Sequence, residues 1–342
     1  MPRRTKIVAT LGPATDDPKV VDGIIRAGVD VVRINLSHDT HESHRLRAET
    51  VRNRAWASGR QVGVLADLQG PKIRIGRFRT GYAQLVEDGE FILDAQCPLD
   101  AGDNARVGMT YRELVNDVAR GDTLMLDDGA IVLWVSEVQG SCVRCKVVQG
   151  GKLSNNKGIN RQGGGLSAPA LTDKDREDIR FAAAIEADYV AVSFVRSADD
   201  VREARRLLLE AGGEGGIVAK IERAEALDVI EEIIEASDAI MVARGDLGVE
   251  IGDAELPAAQ KHLIKVARRL NCVVITATQM MQSMIENAIP TRAEVFDVAN
   301  AVLDGTDAVM LSAETSVGRD PARVVEAMDR VCLEAEKQAI VR

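Results

Sequence analysis

Eight apolar runs enriched in β-branched residues punctuate the chain, at residues 6–12, 31–38, 62–70, 189–195, 216–222, 239–247, 273–280 and 308–314. Most are continuous rather than alternating, which is how a parallel strand covered on both faces reads. Between the later runs, residues 173–187, 198–211, 224–236, 256–270 and 293–303 carry apolar side chains at helical spacing. Thr172, Ser197 and Asp320 suit N-cap positions, and Pro257, Pro290 and Pro321 sit near helix starts. This alternation predicts an α/β fold, a (β/α)8 TIM barrel. A doubly wound open sheet satisfies the same periodicity.

The third unit breaks the rhythm. Between Gln69 and Leu166 the helical crossover gives way to short strands with turn signals, including a hairpin pattern over residues 123–133 with an Asp128-Gly129 turn. An inserted all-β domain is expected here, barrel-like, hinged at Gly70-Pro71 and at Gly163-Gly164-Gly165. The expected division is 1–70 for the first part of the barrel, 71–166 for a lid, and 167–342 for the rest of the barrel.

Ionisable and polar groups close nearly every strand run. Arg33, Asn35, Ser37 and His38 end the second, and Asp67, Leu68, Gln69, Lys72 and Arg74 follow the third. Later runs end in Lys220 and Glu222, Arg244 and Asp246, Thr278 and Gln279, and Ser312 and Glu314. Active sites of such barrels form at the C-terminal strand ends, so these groups imply one site. Two carboxylates, Glu222 and Asp246, suit Mg2+, which leaves its other positions to water and substrate phosphates. A fixed ammonium beside it, Lys220, suits a phosphoryl group in transfer or an enolate.

Composition narrows the function further. Acidic residues number 53 against 43 basic ones, for a net charge of -10. With no basic stripe or aromatic-rich sheet, nucleic acid is an unsuitable ligand. Anionic substrates instead require a local cation cluster, which Arg33, Lys72, Arg74 and Lys220 would form. The five scattered cysteines, the absence of a leader before Lys6 and the lack of a long apolar span point to a reduced, cytoplasmic setting without membrane contact. Cys142 and Cys145 lie in a β-rich stretch and read as packing residues rather than a zinc or redox pair. His38, His41 and His44 likewise read as a strand end and a polar helix start. The glycines of residues 212–216 lack the Lys-Ser/Thr of a P-loop.

Several motifs together resemble those of pyruvate kinase: Arg33-Ile34-Asn35-Leu36-Ser37-His38, Lys220-Ile221-Glu222, Met241 to Gly248, Thr276 to Met280, and Pro290 to Glu294. The resemblance runs from Lys6 to about Glu336. It implies a transferase that moves the phosphoryl group of phosphoenolpyruvate to ADP in glycolysis, with two Mg2+ per turnover, one arriving with ADP. Glu222 and Asp246 would hold Mg2+, Lys220 would neutralise the phosphoryl group and the enolate, and Arg33 would grip the phosphoryl group. The Gly245 and Asp246 amides with Thr278 would clamp the substrate carboxylate. Lys72 would stand beside the substrate. Asn35, His38, Arg74 and Lys157 would meet the nucleotide, and Thr278, Ser312 and Glu314 would border the protonation path. A Mg2+-dependent barrel lyase or aldolase acting on pyruvate or oxaloacetate, and a non-catalytic relative, are the alternatives.

Departures from the family carry expectations too. Many members bind K+ at the positions of Asn35, Ser37, Asp67 and the carbonyl of residue 68, with Thr and Glu at 68 and 72. Leu68 and Lys72 are the pairing of members that work without potassium, so K+ is not expected to be required. Ser43 replaces a Tyr beside the base, and residues 161–165 replace an Asn-Leu-Pro-Gly return to the barrel. Members usually continue past the eighth helix into an effector-binding domain, so control through such a domain is not expected here. Arg292 resembles a residue that crosses a barrel-barrel interface, which implies a homodimer through the barrel face.

Overall fold

The computed structural model describes residues 3–338. The first barrel units are β1 (Lys6–Thr10), α1 (Pro18–Ala27), β2 (Val31–Asn35), α2 (His41–Ala57) and β3 (Gly63–Asp67). The Asp17 side chain accepts the Lys19 amide to start α1, and Gly28 ends it at φ 109°, a left-handed conformation that costs glycine nothing. α1 buries Val21, Ile24 and Ile25, apolar residues at helical spacing that the sequence reading passes over, whereas α2 lacks such a pattern. In α2 polar residues dominate, with only His44, Arg47, Ala48, Val51 and Ala55 buried.

The chain then leaves the barrel. The insert holds β4 (Tyr82–Leu85), β5 (Glu90–Asp94), β6 (Arg106–Val107), a single turn α3 (Leu114–Asp117), β7 (Thr123–Leu126), β8 (Ile131–Gln139), β9 (Cys142–Gln149), β10 (Gly151–Ser154) and β11 (Ile159–Arg161). They form a six-stranded sheet ordered β11-β7-β8-β9-β5-β6 and a two-stranded pair β10-β4. The insert is therefore β throughout except for α3. Its own apolar core centres on Phe91, Leu93, Leu124, Leu126 and Leu133 and reaches Ala168. The β7-β8 hairpin is present, but Asp127 and Asp128 take the left-handed φ values of 53° and 55° at its centre. Gly129 follows them and donates to the Leu126 carbonyl at 3.2 Å. The Ala130 amide donates to the Asp127 carbonyl at 3.0 Å, so the Asp128-Gly129 turn read from sequence is present, with Asp127 joining it in left-handed backbone because Asp tolerates that conformation.

After the insert come α4 (Asp173–Ala184), β12 (Tyr189–Val192), α5 (Ala198–Glu210), β13 (Gly216–Ile221), α6 (Glu225–Asp228), α7 (Ile230–Ala236), β14 (Ala239–Ala243), α8 (Arg244–Ile251), α9 (Leu256–Arg269), β15 (Val273–Ala277), α10 (Arg292–Asp304), β16 (Ala308–Leu311), α11 (Ala313–Ser316) and α12 (Pro321–Ala335). Thr172 and Ser197 form capping boxes, and the Asp320 carboxylate accepts the Arg323 amide. Two expectations are corrected. The helix over 224–236 is broken at Val229 into α6 and α7. The run 239–247 is strand only to Ala243, where α8 begins at once.

Eight parallel strands close in the order β1-β16-β15-β14-β13-β12-β3-β2, which excludes the open sheet. Val8, Leu65, Val218, Met241, Ile275 and Met310 fill the lumen. The opposite strand faces pack against the helices in a larger core. Both faces being buried is why the runs are uninterrupted by polar residues until the rim.

Candidate active site

Residues two apart on a strand share a face, so β13 presents Lys220 and the following Glu222 together. The Lys220 Nζ lies 3.0 Å from Glu222 Oε1 and 3.3 Å from Asp67 Oδ1, at the end of β3. It also donates to Ser193 Oγ at 2.6 Å. From β2, Arg33 donates its Nε to Asp67 Oδ2 at 2.6 Å and its Nη1 to Thr10 Oγ1 at 3.1 Å. Two cations and two carboxylates thus interlock at the rim. Asp67 and Glu222 are only 1% and 2% exposed, so pairing decides their charge. Burial pushes Asp67 up, but Lys220 and Arg33 outweigh it and hold the carboxyl below its ordinary value. Burial likewise opposes the Lys220 ammonium, yet Asp67 and Glu222 raise it above its ordinary value. Glu222 is raised, chiefly by burial, with Asp246 adding to the effect against the pull of Lys220.

Backbone strain marks the same rim. Phe194 has φ 56°, and its amide donates to Glu222 Oε2 at 2.8 Å. Thr278 and Gln279 have φ 69° and 55°. For a β-branched residue such backbone is costly, on the order of 1–3 kcal/mol, and persists only where the surroundings impose it. Arg244 does so here. Its Nε donates to the Ala277 carbonyl at 3.0 Å, its Nη2 to the Thr278 carbonyl at 2.5 Å, and its Nη1 to Asp297 at 2.7 Å. The Gly245 amide, at the start of α8, donates to Thr278 Oγ1 at 2.9 Å. The Ser312 amide is held at 2.6 Å by Glu314, whose other oxygen takes the Met281 amide.

A cleft of about 720 Å³ brings together the start of α8, Thr278 and Ser312, whereas Arg33, Asp67, Lys220 and Glu222 are not part of its lining. Its lining includes Lys72, Asp128, Gly245, Asp246, Thr278 and Ser312. Lys72 Nζ contacts Asp246 Oδ1 at 3.0 Å, and Asp128 reaches in from the insert. The four residues expected to meet the nucleotide lie on two sides. Asn35 Oδ1 accepts the Ser37 amide at 3.2 Å on the β2-α2 loop, where His38 is exposed. Arg74 and Lys157 belong to the insert, joined by the bridge between Arg74 and Gly158. There Lys157 pairs with Asp127 at 2.7 Å, and Arg74 donates to the Asn156 carbonyl at 3.0 Å. The Leu68 carbonyl, at a position where many family members are expected to bind K+, accepts Ser193 Oγ at 2.8 Å.

Comparison with known proteins decides the family. A model of the pyruvate kinase barrel domain matches residues 2–325. Pyruvate kinase II of Salmonella typhimurium is 58% identical over 338 residues, 98% of this chain and 70% of the relative. The chain belongs to the pyruvate kinase family. The pyruvate kinases of Haemophilus influenzae and Mycobacterium intracellulare are 56% and 51% identical, each over 98% of this chain and 71% of theirs. Membership makes the protein a phosphotransferase.

Pyruvate kinases depend on Mg2+, and the donor set here fits it. Among the described residues no group of three or more His, Cys, Asp or Glu is assembled for a metal. Glu222 and Asp246 offer hard carboxylate oxygens near enough to repel each other, and few protein carboxylates is what Mg2+ accepts. Their mutual repulsion helps raise Glu222, a cost that a divalent cation between them would remove. Among the described residues no helix is long and apolar enough to cross a membrane.

Sequence reasoning missed Ser193 and Phe194, which bond Lys220 and Glu222. It also left Arg244 without a role. The left-handed φ of Phe194 has no sequence signal, since glycine is its usual mark. Arg244 was visible as a charge at a strand end, but its partners Gln260, Ala277, Thr278 and Asp297 are distant in the chain.

Proposed function

We propose that the protein transfers the phosphoryl group of phosphoenolpyruvate to ADP, giving pyruvate and ATP in glycolysis in the cytoplasm. The observation that carries this reading is the buried Lys220 ammonium, fixed between Asp67 and Glu222 with Arg33 beside it. A permanently charged, preorganised cation is worth most where negative charge moves between an enol oxygen and a phosphate. In the reaction the bond from phosphorus to the enol oxygen breaks as a bond to the terminal ADP oxygen forms. Arg33 orients the phosphoryl group. Lys220 stabilises the transferring group and then the enolate oxygen, and the enolate carbon takes a proton to give pyruvate. Thr278 and Ser312 border the cleft at which that proton arrives.

Glu222 and Asp246 would hold a Mg2+, which would supply Lewis-acid charge to substrate oxygens, and a second Mg2+ would arrive with ADP. The Asp246 and Gly245 amides, at the first turn of α8, suit the substrate carboxylate. The Gly245 amide must then leave Thr278 Oγ1. Lys157 and Arg74 on the insert turn from Asp127 and Asn156 to the nucleotide phosphates as the insert, acting as a lid over residues 71–166, closes.

Two finer readings accompany this one. Lys72 at 3.0 Å from Asp246 brings a positive charge to the site, and supports activity without K+. A homodimer through the barrel face is supported by Ile289 and Phe296, both 68% exposed, which flank Arg292 at the start of α10. A coupled lactate dehydrogenase assay tests the function. ADP-dependent pyruvate formation from phosphoenolpyruvate is expected. Pyruvate release from oxaloacetate without nucleotide demand would reassign the protein to the lyases.

A further inference from the structure

The insert returns to the barrel through three glycines, Gly163, Gly164 and Gly165, all in left-handed backbone with φ between 75° and 86°. A buried ionic cluster fastens this turn. The Gly163 amide donates to the Glu250 carbonyl at 2.9 Å, and the Gly165 amide donates to Glu225 Oε1 at 3.1 Å. Arg223, 3% exposed, sends its Nη2 to the Leu166 carbonyl at 2.7 Å and to Glu225 Oε1 at 2.9 Å. Glu250, 2% exposed, accepts the Ala224 amide on Oε2 at 2.8 Å. A side chain at Gly164 would collide with the Glu225 carboxylate, so the turn lies directly on the cluster. Lysine and arginine candidates for catalysis lie elsewhere, and nothing in the proposed chemistry uses these residues.

The charges in this cluster do not balance. From α6 and the β13-α6 link come Glu225 and Arg223. From α8 come Glu250 and, further off, Asp246. From the insert, Arg161 spends its charge on Asp122 at 3.0 Å and donates to the Gly164 carbonyl. One guanidinium therefore faces two carboxylates. Glu225 is the ion of the pair. Burial opposes its charge, but Arg223 and backbone donors including Gly165 hold it below its ordinary value. Burial pushes Glu250 up to about 7, with Arg223 only partly offsetting it and Glu225 and Asp246 pushing the same way. Fittingly, Arg223 Nε stands 3.6 Å from Glu250 Oε1 and makes no hydrogen bond.

We propose that Arg223, Glu225 and Glu250 form a proton-sensitive clasp on the lid's return segment, docked when Glu250 is neutral and loosened when it ionises. Ionised, Glu250 draws Arg223 Nε toward itself and competes with Glu225 and the Leu166 carbonyl for the single guanidinium. The sign follows from linkage. A carboxyl raised by docking stabilises the docked turn below its ordinary value near 4.5, and that stabilisation is lost as pH rises through about 7. The clasp is tight at pH 6 and loose at pH 8. Since the turn is one of the insert's two attachments, Glu250 is a positioning residue for lid closure, an inference that rests on the lid reading above.

Hydrogen exchange of the whole protein without substrate, followed in a peptide spanning residues 158–171 from pH 6 to 8, tests the clasp. After correction for intrinsic exchange, wild-type protection of the return segment is expected to fall at least threefold with a midpoint near pH 7. In Glu250→Gln the protection is expected to stay at the docked level throughout. Glu225→Gln relieves repulsion on Glu250 and frees Arg223 for it, so its midpoint is expected at lower pH by at least half a unit. A pH-independent wild type, or the same midpoint in the variants, overturns the proposal. Exchange is read without turnover, so a protein with the transition but no phosphoryl transfer would refute the functional assignment and leave the clasp standing.

Discussion

Replacing Lys220 with methionine removes the ammonium between two buried carboxylates while keeping most of the side-chain volume. At 3.0 and 3.3 Å, and with an effective dielectric near 20, its attraction to each is roughly 5 kcal/mol before desolvation. Net loss on breaking such a pair is about 3–5 kcal/mol. Here the loss has a ceiling. Asp67 keeps Arg33, and Glu222 can take a proton, which costs a carboxyl of ordinary pKa about 3.4 kcal/mol at pH 7 and about 1.4 kcal/mol at pH 5.5. The variant is therefore expected to fold, with a melting deficit that grows from pH 5.5 to pH 8, because a raised carboxyl loses stability as pH rises. Catalysis has no such relief. Loss of a preorganised electrostatic group is expected to lower kcat by about 10³ or more, roughly 4 kcal/mol of barrier. The coupled assay gives kcat, calorimetric titration gives phosphoenolpyruvate affinity, and thermal melts give the stability profile. A folded variant within tenfold of wild-type kcat would refute the role given to this ammonium.

Two further outcomes are expected. Lys72→Met removes the charge paired with Asp246. The wild type should show equal rates in K+ and tetramethylammonium, whereas the variant should lose at least tenfold in tetramethylammonium and regain part of it in K+; strong K+ stimulation of the wild type would end the K+-independent reading. Phe296→Asp places a charge on the exposed apolar start of α10. Sedimentation velocity should show a wild-type dimer converted to monomer, and a monomeric wild type would remove the barrel-face interface.

Strand content, the insert and the identity of most site groups are determined by the sequence alone. A strand covered on both faces must stay apolar until it reaches the rim, so the chemistry appears where the apolar run stops, as at Lys220-Ile221-Glu222 and Arg244-Gly245-Asp246. Period-two geometry even places Lys220 and Glu222 on one face. Local pattern is less informative where a helix is mostly polar or short, and so α2 went unread and the break at Val229 was invisible, whereas α1 shows Val21, Ile24 and Ile25 at helical spacing and was legible. Only the tertiary structure decided that the sheet closes, that Asp67 from β3 stands between Arg33 and Lys220, and that Lys72 rests on Asp246. It alone also revealed the left-handed Thr278, braced by Arg244, and the carboxyl of Glu250 beside the glycine turn. The reason is physical: periodicity reports which face a residue occupies, whereas charge state and backbone strain depend on distances to groups remote in the chain.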